Sequence, residues 1–472
     1  MNDSSTKHTF YLLAIAMGLL GIASAVPWSD ITGNRIKDFH LLADLVPNPA
    51  QVVASASMVV DPELEELMQS VSPDDGGAGT PSGEPAAAAA TDSTATDTVA
   101  WIAPLTEAPR VDGHVVIESY TGSAPLARFR EALAQSGQRL VRVAVVGDSF
   151  IEGDIFTQDL RAMLQERYGG CGVGYVNLHS EMPGFRKSIR QSGSGWTMHN
   201  ILNIGRRDTV RILAGEYAEA SADARSDYRG TSQAATTGAW DRSALAVLAS
   251  DSCTVELIND GGSRSFELAP SPVPQLIELP GHTTHFGVRT GSPSLRALGV
   301  YMDGETGISV DCMSSRGSSG LNLRSLNRAM SRTVDYDLVI LEFGINALSA
   351  EQTEYYAYMH GMIAAVERVK SIFPDADILV MGIADRGAKN GTTVKSLPTC
   401  NAMTDAQRKV AQRTGTHFYD TRAAQGGENA VVAWRERHLV NADYIHLNHT
   451  GGRVMAEEFM EGLTRSLELS AP

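Results

Sequence analysis

Three apolar runs constrain this chain more than any other feature: Val141–Val146, "YDLVILEFG" (336–344) and "ADILVMGI" (376–383). Each is short, rich in Val, Ile and Leu, and bounded by polar or turn-forming residues. Such runs read as strands buried on both faces. Helical stretches alternate with them. "LARFREALAQSG" (126–137) precedes the first, and a helix over 157–168 follows it, with Phe156, Leu160, Met163 and Leu164 on one stripe and Gly169-Gly170 as its stop. Further helices are predicted over 351–373, 404–415 and 450–469, with a short strand over 416–420. The alternation predicts an α/β fold, a parallel sheet covered by helices on both sides.

The middle of the chain breaks that rhythm. Between about residues 200 and 312, short strand-like segments and turns follow one another without helices, and "NDGG" (259–262) sits between two of them as a hairpin signal. Seven or more short strands predict a β-sandwich, and because the α/β pattern resumes afterwards the module reads as an insertion. The expected segments are a first α/β part over 101–190, the β insert over 191–305, where a carbohydrate-binding role is expected, and a second α/β part over 306–472.

The residues before 101 read differently again. Thr9–Val26 is apolar or small almost throughout, follows Lys7 and His8, and ends near Ala23-Ser24-Ala25. This is the pattern of a cleaved signal peptide or of an uncleaved membrane anchor over residues 1–26. Either one exports the rest of the chain, so a periplasmic or cell-envelope location is expected. Residues 27–100 hold one weakly helical patch, "DPELEELMQSV", and then a stretch of Pro, Gly, Ala, Ser and Thr that reads as a linker.

A formal net charge of −16 and the lack of any long basic run exclude nucleic acid as an expected partner. The four cysteines, Cys171, Cys253, Cys312 and Cys400, have no metal-site spacing. No metal or other cofactor is expected. In an exported chain they can form disulfides, and Cys253–Cys312 is the expected pair; four separate buried thiols are the alternative.

The first apolar run ends in "VVGDS" (145–149). In an open α/β sheet, chemistry gathers at the carboxyl ends of the strands, so Ser149 stands where a nucleophile belongs. A serine needs a base, a carboxylate that orients the base, and donors for an oxyanion. "DYIH" (443–446) supplies Asp443 and His446 three residues apart before the last helix, and Asn346 follows the second apolar run as an amide donor. His449 is a competing base.

Together "VVGDS", "FGIN" (343–346) and "DYIH" resemble the SGNH, or GDSL, hydrolase superfamily. The resemblance implies a flavodoxin-like three-layer α/β/α sandwich, a triad of Ser149, Asp443 and His446, and an oxyanion hole built from the Ser149 amide, a glycine amide and Asn346. Gly317 in "SSRGSSG" is the preferred glycine over Gly172 and Gly174, because it precedes Asn346 by about the family's interval. Two positions depart from the pattern: Ala347 stands where the family has Asp, which puts the bracing of Asn346 in doubt, and Phe150 replaces Leu.

The wider stretch over 147–176 is similar to peptidoglycan O-acetylesterases and related bacterial carbohydrate esterases, in which a jelly-roll-like module interrupts the hydrolase domain. That likeness implies a serine esterase acting on short acyl groups, O-acetyl above all, of an acetylated polysaccharide or peptidoglycan. Arg316, Trp196, Trp240 and Tyr301 are candidate sugar contacts. Two other functions are carried along: an O-acetyltransferase working with a membrane-bound acyl-transfer partner, and a glycan-binding protein without catalysis.

Overall fold

The computed structural model describes residues 107–205, 207–391 and 393–469. The expected export segment over 1–26 and the stretch 27–100 expected as a weakly helical patch and linker lie outside the described residues. Among the described residues, no helix is long and apolar enough to cross a membrane.

Five parallel strands form the framework: β1 (Leu140–Gly147), β2 (Gly307–Ser314), β3 (Leu338–Glu342), β4 (Asp377–Met381) and β5 (His417–Tyr419). Their order is β2-β1-β3-β4-β5, with the short strand Glu118–Ser119 antiparallel at the β5 edge. This is the flavodoxin-like order, and its switch point lies at β1 and β3.

The helices are α1 (Ala127–Leu133), α2 (Thr157–Tyr168), α3 (Tyr356–Ile372), α4 (Cys400–Thr414) and α5 (His449–Leu469). Successive side chains of a strand point to opposite faces. Val141, Val143 and Val145 of β1 therefore share one core with Phe129 of α1, Leu160 and Leu164 of α2, and Met455 and Phe459 of α5. Ala144 and Val146 join the opposite core, with Met362 and Val366 of α3 and Met403 and Val410 of α4. The expected α/β/α layering is thus built by strand alternation. Helix α4 starts four residues before its predicted start, because Cys400 and Met403 are themselves core residues and extend the apolar stripe.

The insert is β-rich, as expected. Its strands, however, belong to one nine-stranded hydrogen-bonded sheet rather than to two separate ones. Cys253–Asn259 and Gly262–Leu268 pair across "NDGG" with Asn259 opposite Gly262. The long strands Ile189–Asn200 and Glu216–Gly230 pair antiparallel. The sheet begins earlier than residue 191, since Gly172–Val176 pairs with Leu295–Asp303 of the same sheet. It encloses its own core, with Trp240, Leu245, Val247, Phe286 and Val300. Ala244, Ala246 and Tyr301, facing the other way, join the core shared with α3 and β3.

A buried charge network ties the two sheets together. Arg142 of β1 pairs with Asp303, the last residue of the insert's strand Leu295–Asp303, and its Nη1 lies 3.3 Å from the Asp311 carboxylate of β2. Asp311 also accepts from the Tyr336 hydroxyl at 2.8 Å and from the Tyr175 amide at 2.9 Å. Buried charges persist only where their remaining polar atoms are bonded in this way.

All four cysteines are free thiols. The expected Cys253–Cys312 disulfide is therefore not present. Cys253 belongs to the insert sheet, whereas Cys312 lies on β2 of the parallel sheet with its thiol directed at the Ile151 carbonyl.

Candidate active site

Strand β1 ends at Gly147, and the chain turns sharply there. A Cβ at residue 147 would lie 2.6 Å from the Glu342 carbonyl oxygen, so only glycine allows β1 and β3 to meet this closely. The Asp148 amide donates to that same carbonyl at 3.3 Å. Ser149 follows, mostly buried.

Ser149 Oγ lies 2.8 Å from His446 Nε2. The other ring nitrogen, Nδ1, lies 2.7 Å from Asp443 Oδ2. Asp443 Oδ1 in turn accepts from the Ile445 and His446 amides at 3.0 and 3.1 Å. Residues 443–446 thus form one tight turn whose carboxylate braces the backbone and orients the ring. Burial disfavours ionisation of Asp443, but the bonds from His446 and the two amides outweigh it and hold its carboxyl below the usual range. The competing base does not reach Ser149: His449 Nδ1 lies 3.2 Å from Gln158 Nε2, and its ring meets Phe185 edge-on.

The loops after β2 and β3 meet beside this chain of bonds. Asn346 Nδ2 donates to Asp148 Oδ2 and to the Ser318 carbonyl, both at 2.9 Å. Asn346 is therefore held between the residue before Ser149 and the residue after Gly317. Gly317 has φ +81°, a conformation that favours glycine. Gly172 and Gly174 lie instead on a strand paired into the insert sheet. With Ala347 in place of Asp, the Asn346 loop is braced by other groups: Gln407 Nε2 donates to the Phe343 carbonyl at 2.6 Å and Arg386 Nη1 to the Ile345 carbonyl at 3.2 Å. An oxyanion that reaches Asn346 Nδ2 must share or displace one of its two present acceptors.

Beneath the serine lie two buried carboxyls. Burial raises Asp148 to about 7, against the lowering effects of the Phe150 amide, His446 and Asn346. Burial, and then the charge of Asp148, push Glu342 well above the carboxylate range. Glu342 Oε2 has no hydrogen-bond partner, which fits a neutral acid.

The candidate sugar contacts divide. Tyr301 is 5% exposed, packed edge-on against Tyr175 and under the Arg142 guanidinium. Trp240 is fully buried, with its indole N–H bonded to Ser243 Oγ. Neither has a face available to a sugar, so both assignments are corrected to core roles; the alternation of their strands turns them inward. Trp196 is half-buried on Ile189–Asn200 and donates to the Arg225 carbonyl at 3.0 Å. Arg316 is exposed and pairs with Glu152, three residues past Ser149.

Residues 283–454 match the GDSL-like Lipase/Acylhydrolase family. No curated protein matches this sequence. Among solved structures, a peptidoglycan O-acetylesterase aligns at 21% identity with a TM-score of 0.60, covering 75% of this chain and 99% of that one, a likeness of fold. A family two carbohydrate esterase from Clostridium thermocellum aligns at 10% identity, with 58% and 99% coverage and a TM-score of 0.26. A salicylyl-acyltransferase from a tetracycline biosynthetic pathway aligns at 12% identity, with 61% and 99% coverage and a TM-score of 0.27.

The matched stretch contains Gly317, Asn346, Asp443 and His446 but not Ser149. The insert separates the serine segment from the rest in sequence, and the parallel pairing of β1 with β2 and β3 restores it in space. Sequence reasoning missed Asp148 and Glu342 as members of the site. Glu342 did carry a signal, as the one acid inside the apolar run "LVILEFG".

Proposed function

We propose that this chain is a serine esterase that removes short acyl groups, acetyl above all, from an envelope or extracellular glycan. One observation carries the reading: the continuous path from Ser149 Oγ through both nitrogens of His446 to Asp443. Ser149 Oγ attacks the ester carbonyl and its proton passes to His446 Nε2. Asp443 keeps the ring in the tautomer that accepts at Nε2 and stabilises the imidazolium. The Ser149 and Gly317 amides and the Asn346 side chain are the donors assigned to the oxyanion.

Collapse of the tetrahedral intermediate breaks the bond to the sugar oxygen, and His446 returns the proton to that oxygen. Water, deprotonated by the same ring, then attacks the acyl-enzyme carbon. The acid leaves and Ser149 recovers its proton. The apolar run Thr9–Val26 supports an exported setting in which such a glycan is met.

The test uses the purified chain with 4-nitrophenyl acetate and with an O-acetylated peptidoglycan. Acetate release from both that is lost in Ser149→Ala supports the esterase. Acetyl transfer to an added glycan acceptor, without free acetate, would replace hydrolysis by transfer. Glycan binding with no turnover of either ester would reduce the chain to a binding protein.

A further inference from the structure

Gly317, the glycine assigned to the oxyanion, sits in a turn with a side chain that reaches back to the serine loop. The Ser318 amide donates to the Ser315 carbonyl at 3.1 Å, which closes a four-residue turn with Arg316 and Gly317 at its centre. Gly317 has φ +81°, and Arg316 is not among the described residues with positive φ, the pattern of a type II turn. Types I and II differ in the orientation of their central peptide, and both make the closing hydrogen bond. Here the central peptide joins Arg316 to Gly317, and its N–H is the assigned donor. The entry to the turn is held, since the Ser315 amide donates to the Gly147 carbonyl at the end of β1 at 2.8 Å. Neither backbone bond sets which way the Arg316–Gly317 peptide faces.

The Arg316 side chain can set it. It reaches Glu152, three residues past Ser149: Nε donates to Oε1 at 3.1 Å, and Nη2 pairs with Oε2. Two contacts from one planar guanidinium fix direction as well as distance. Glu152 opens the single helical turn Glu152–Asp154 of the serine loop, and its side chain is mostly buried. The pair therefore joins the two loops that carry the main-chain oxyanion donors, Ser149 and Gly317. It also has an electrostatic side. Burial is the main cause that raises Asp148, and the Glu152 charge adds to it, so Glu152 is felt beside Ser149. Without a guanidinium opposite it, that charge would oppose an oxyanion.

We propose that Arg316 is a positioning residue: its ion pair with Glu152 holds the Arg316–Gly317 peptide with its N–H toward the oxyanion and offsets the Glu152 charge there. The proposal rests on the esterase reading for the reaction it serves. It gives Arg316 a role that every ester substrate feels, in place of a contact that only a sugar would feel.

4-Nitrophenyl acetate carries no sugar, so it separates the two roles. In the full chain, Arg316→Gln should lower kcat for this ester about tenfold, short of the about 10²–10³ of a donor lost outright, with KM changed by less than about twofold. Glu152→Gln removes the opposing charge along with the pair, so its loss should be smaller. Added to Arg316→Gln, it should restore part of the rate, because the two side chains act through each other. Arg316→Lys keeps the charge without the fork and should fall between parent and Arg316→Gln; it carries the test if the glutamine variant is unstable. Melting followed by circular dichroism should stay close to the parent's, since a part-exposed pair contributes little to folding. Unchanged kcat for 4-nitrophenyl acetate in Arg316→Gln overturns the proposal, and a raised KM for O-acetylated peptidoglycan in that variant would make Arg316 a sugar contact. Losses from the two glutamine variants that simply add overturn it as well. In both cases parent activity that disappears in Ser149→Ala leaves the esterase reading standing. A parent chain that turns over neither ester sinks that reading and this role with it.

Discussion

The two sheets of this molecule reach their order by opposite routes. In the parallel sheet, β1, β3 and β4 are short apolar runs, and the tips of β1, β2 and β3 lead into the site. In the insert, strands such as Cys253–Asn259 alternate buried and half-exposed residues, and the sheet order joins segments far apart in the chain. A strand buried on both faces announces itself by composition. A half-buried strand announces its faces but not its neighbours, since register and order depend on pairing at a distance. The parallel sheet therefore presents its chemistry at loop tips, while the insert presents its polar groups from strand ends against the other sheet.

This contrast can be broken most sharply at the serine. Ser149→Ala should lower kcat on 4-nitrophenyl acetate by about 10⁴–10⁶ while leaving the unfolding transition of both sheets in place, as read by circular dichroism. Asn346→Ala tests the next tip along. A loss of about 10²–10³ in kcat is expected if its amide holds the oxyanion, and a loss of less than threefold would assign Asn346 to bracing Asp148 alone.

Arg142 tests whether the sheets unfold as one. Arg142→Ala leaves the buried Asp311 carboxylate without a guanidinium and Asp303 with only the longer contact from Arg242 at 3.6 Å. Breaking a buried pair in this way costs about 3–5 kcal/mol. Urea unfolding should show a lowered midpoint and, if the network is the main tie, two transitions in place of one.

Glu342 gives a smaller effect with a defined pH sign. Its carboxyl is raised in the folded chain above its ordinary 4.5. Folding therefore takes up a proton, and stability falls as pH rises through the window above 4.5. Glu342→Gln stays neutral, so its melting temperature should equal the parent's near pH 4 and exceed it by about 2 °C or more at pH 8. Equal melting temperatures at both values would show that Glu342 is ionised or solvated. The smallest expected effect is that of reductant: with four free thiols, dithiothreitol should not change the melting temperature of either sheet.

What the sequence determined by itself was local or periodic. Apolar runs marked three of the five parallel strands, β1, β3 and β4, a short strand was expected where β5 lies, α2 spans its predicted residues, and "NDGG" marked its hairpin. Asp443 and His446 were legible as a pair because three residues of one turn suffice to bring them together. Ser149 was legible because it ends a run.

Tertiary structure alone decided the rest. Tyr301 and Trp240 looked like sugar contacts by residue type, yet strand alternation turned them into the core. Cys253 and Cys312 looked like a pair by their neighbourhood in the chain, yet they belong to different sheets. Arg316 meets Glu152 only because β2, which follows the whole insert in the chain, pairs beside β1. Burial and cavity shape are properties of segments that meet across long loops, and no local pattern of residues encodes which segments those are.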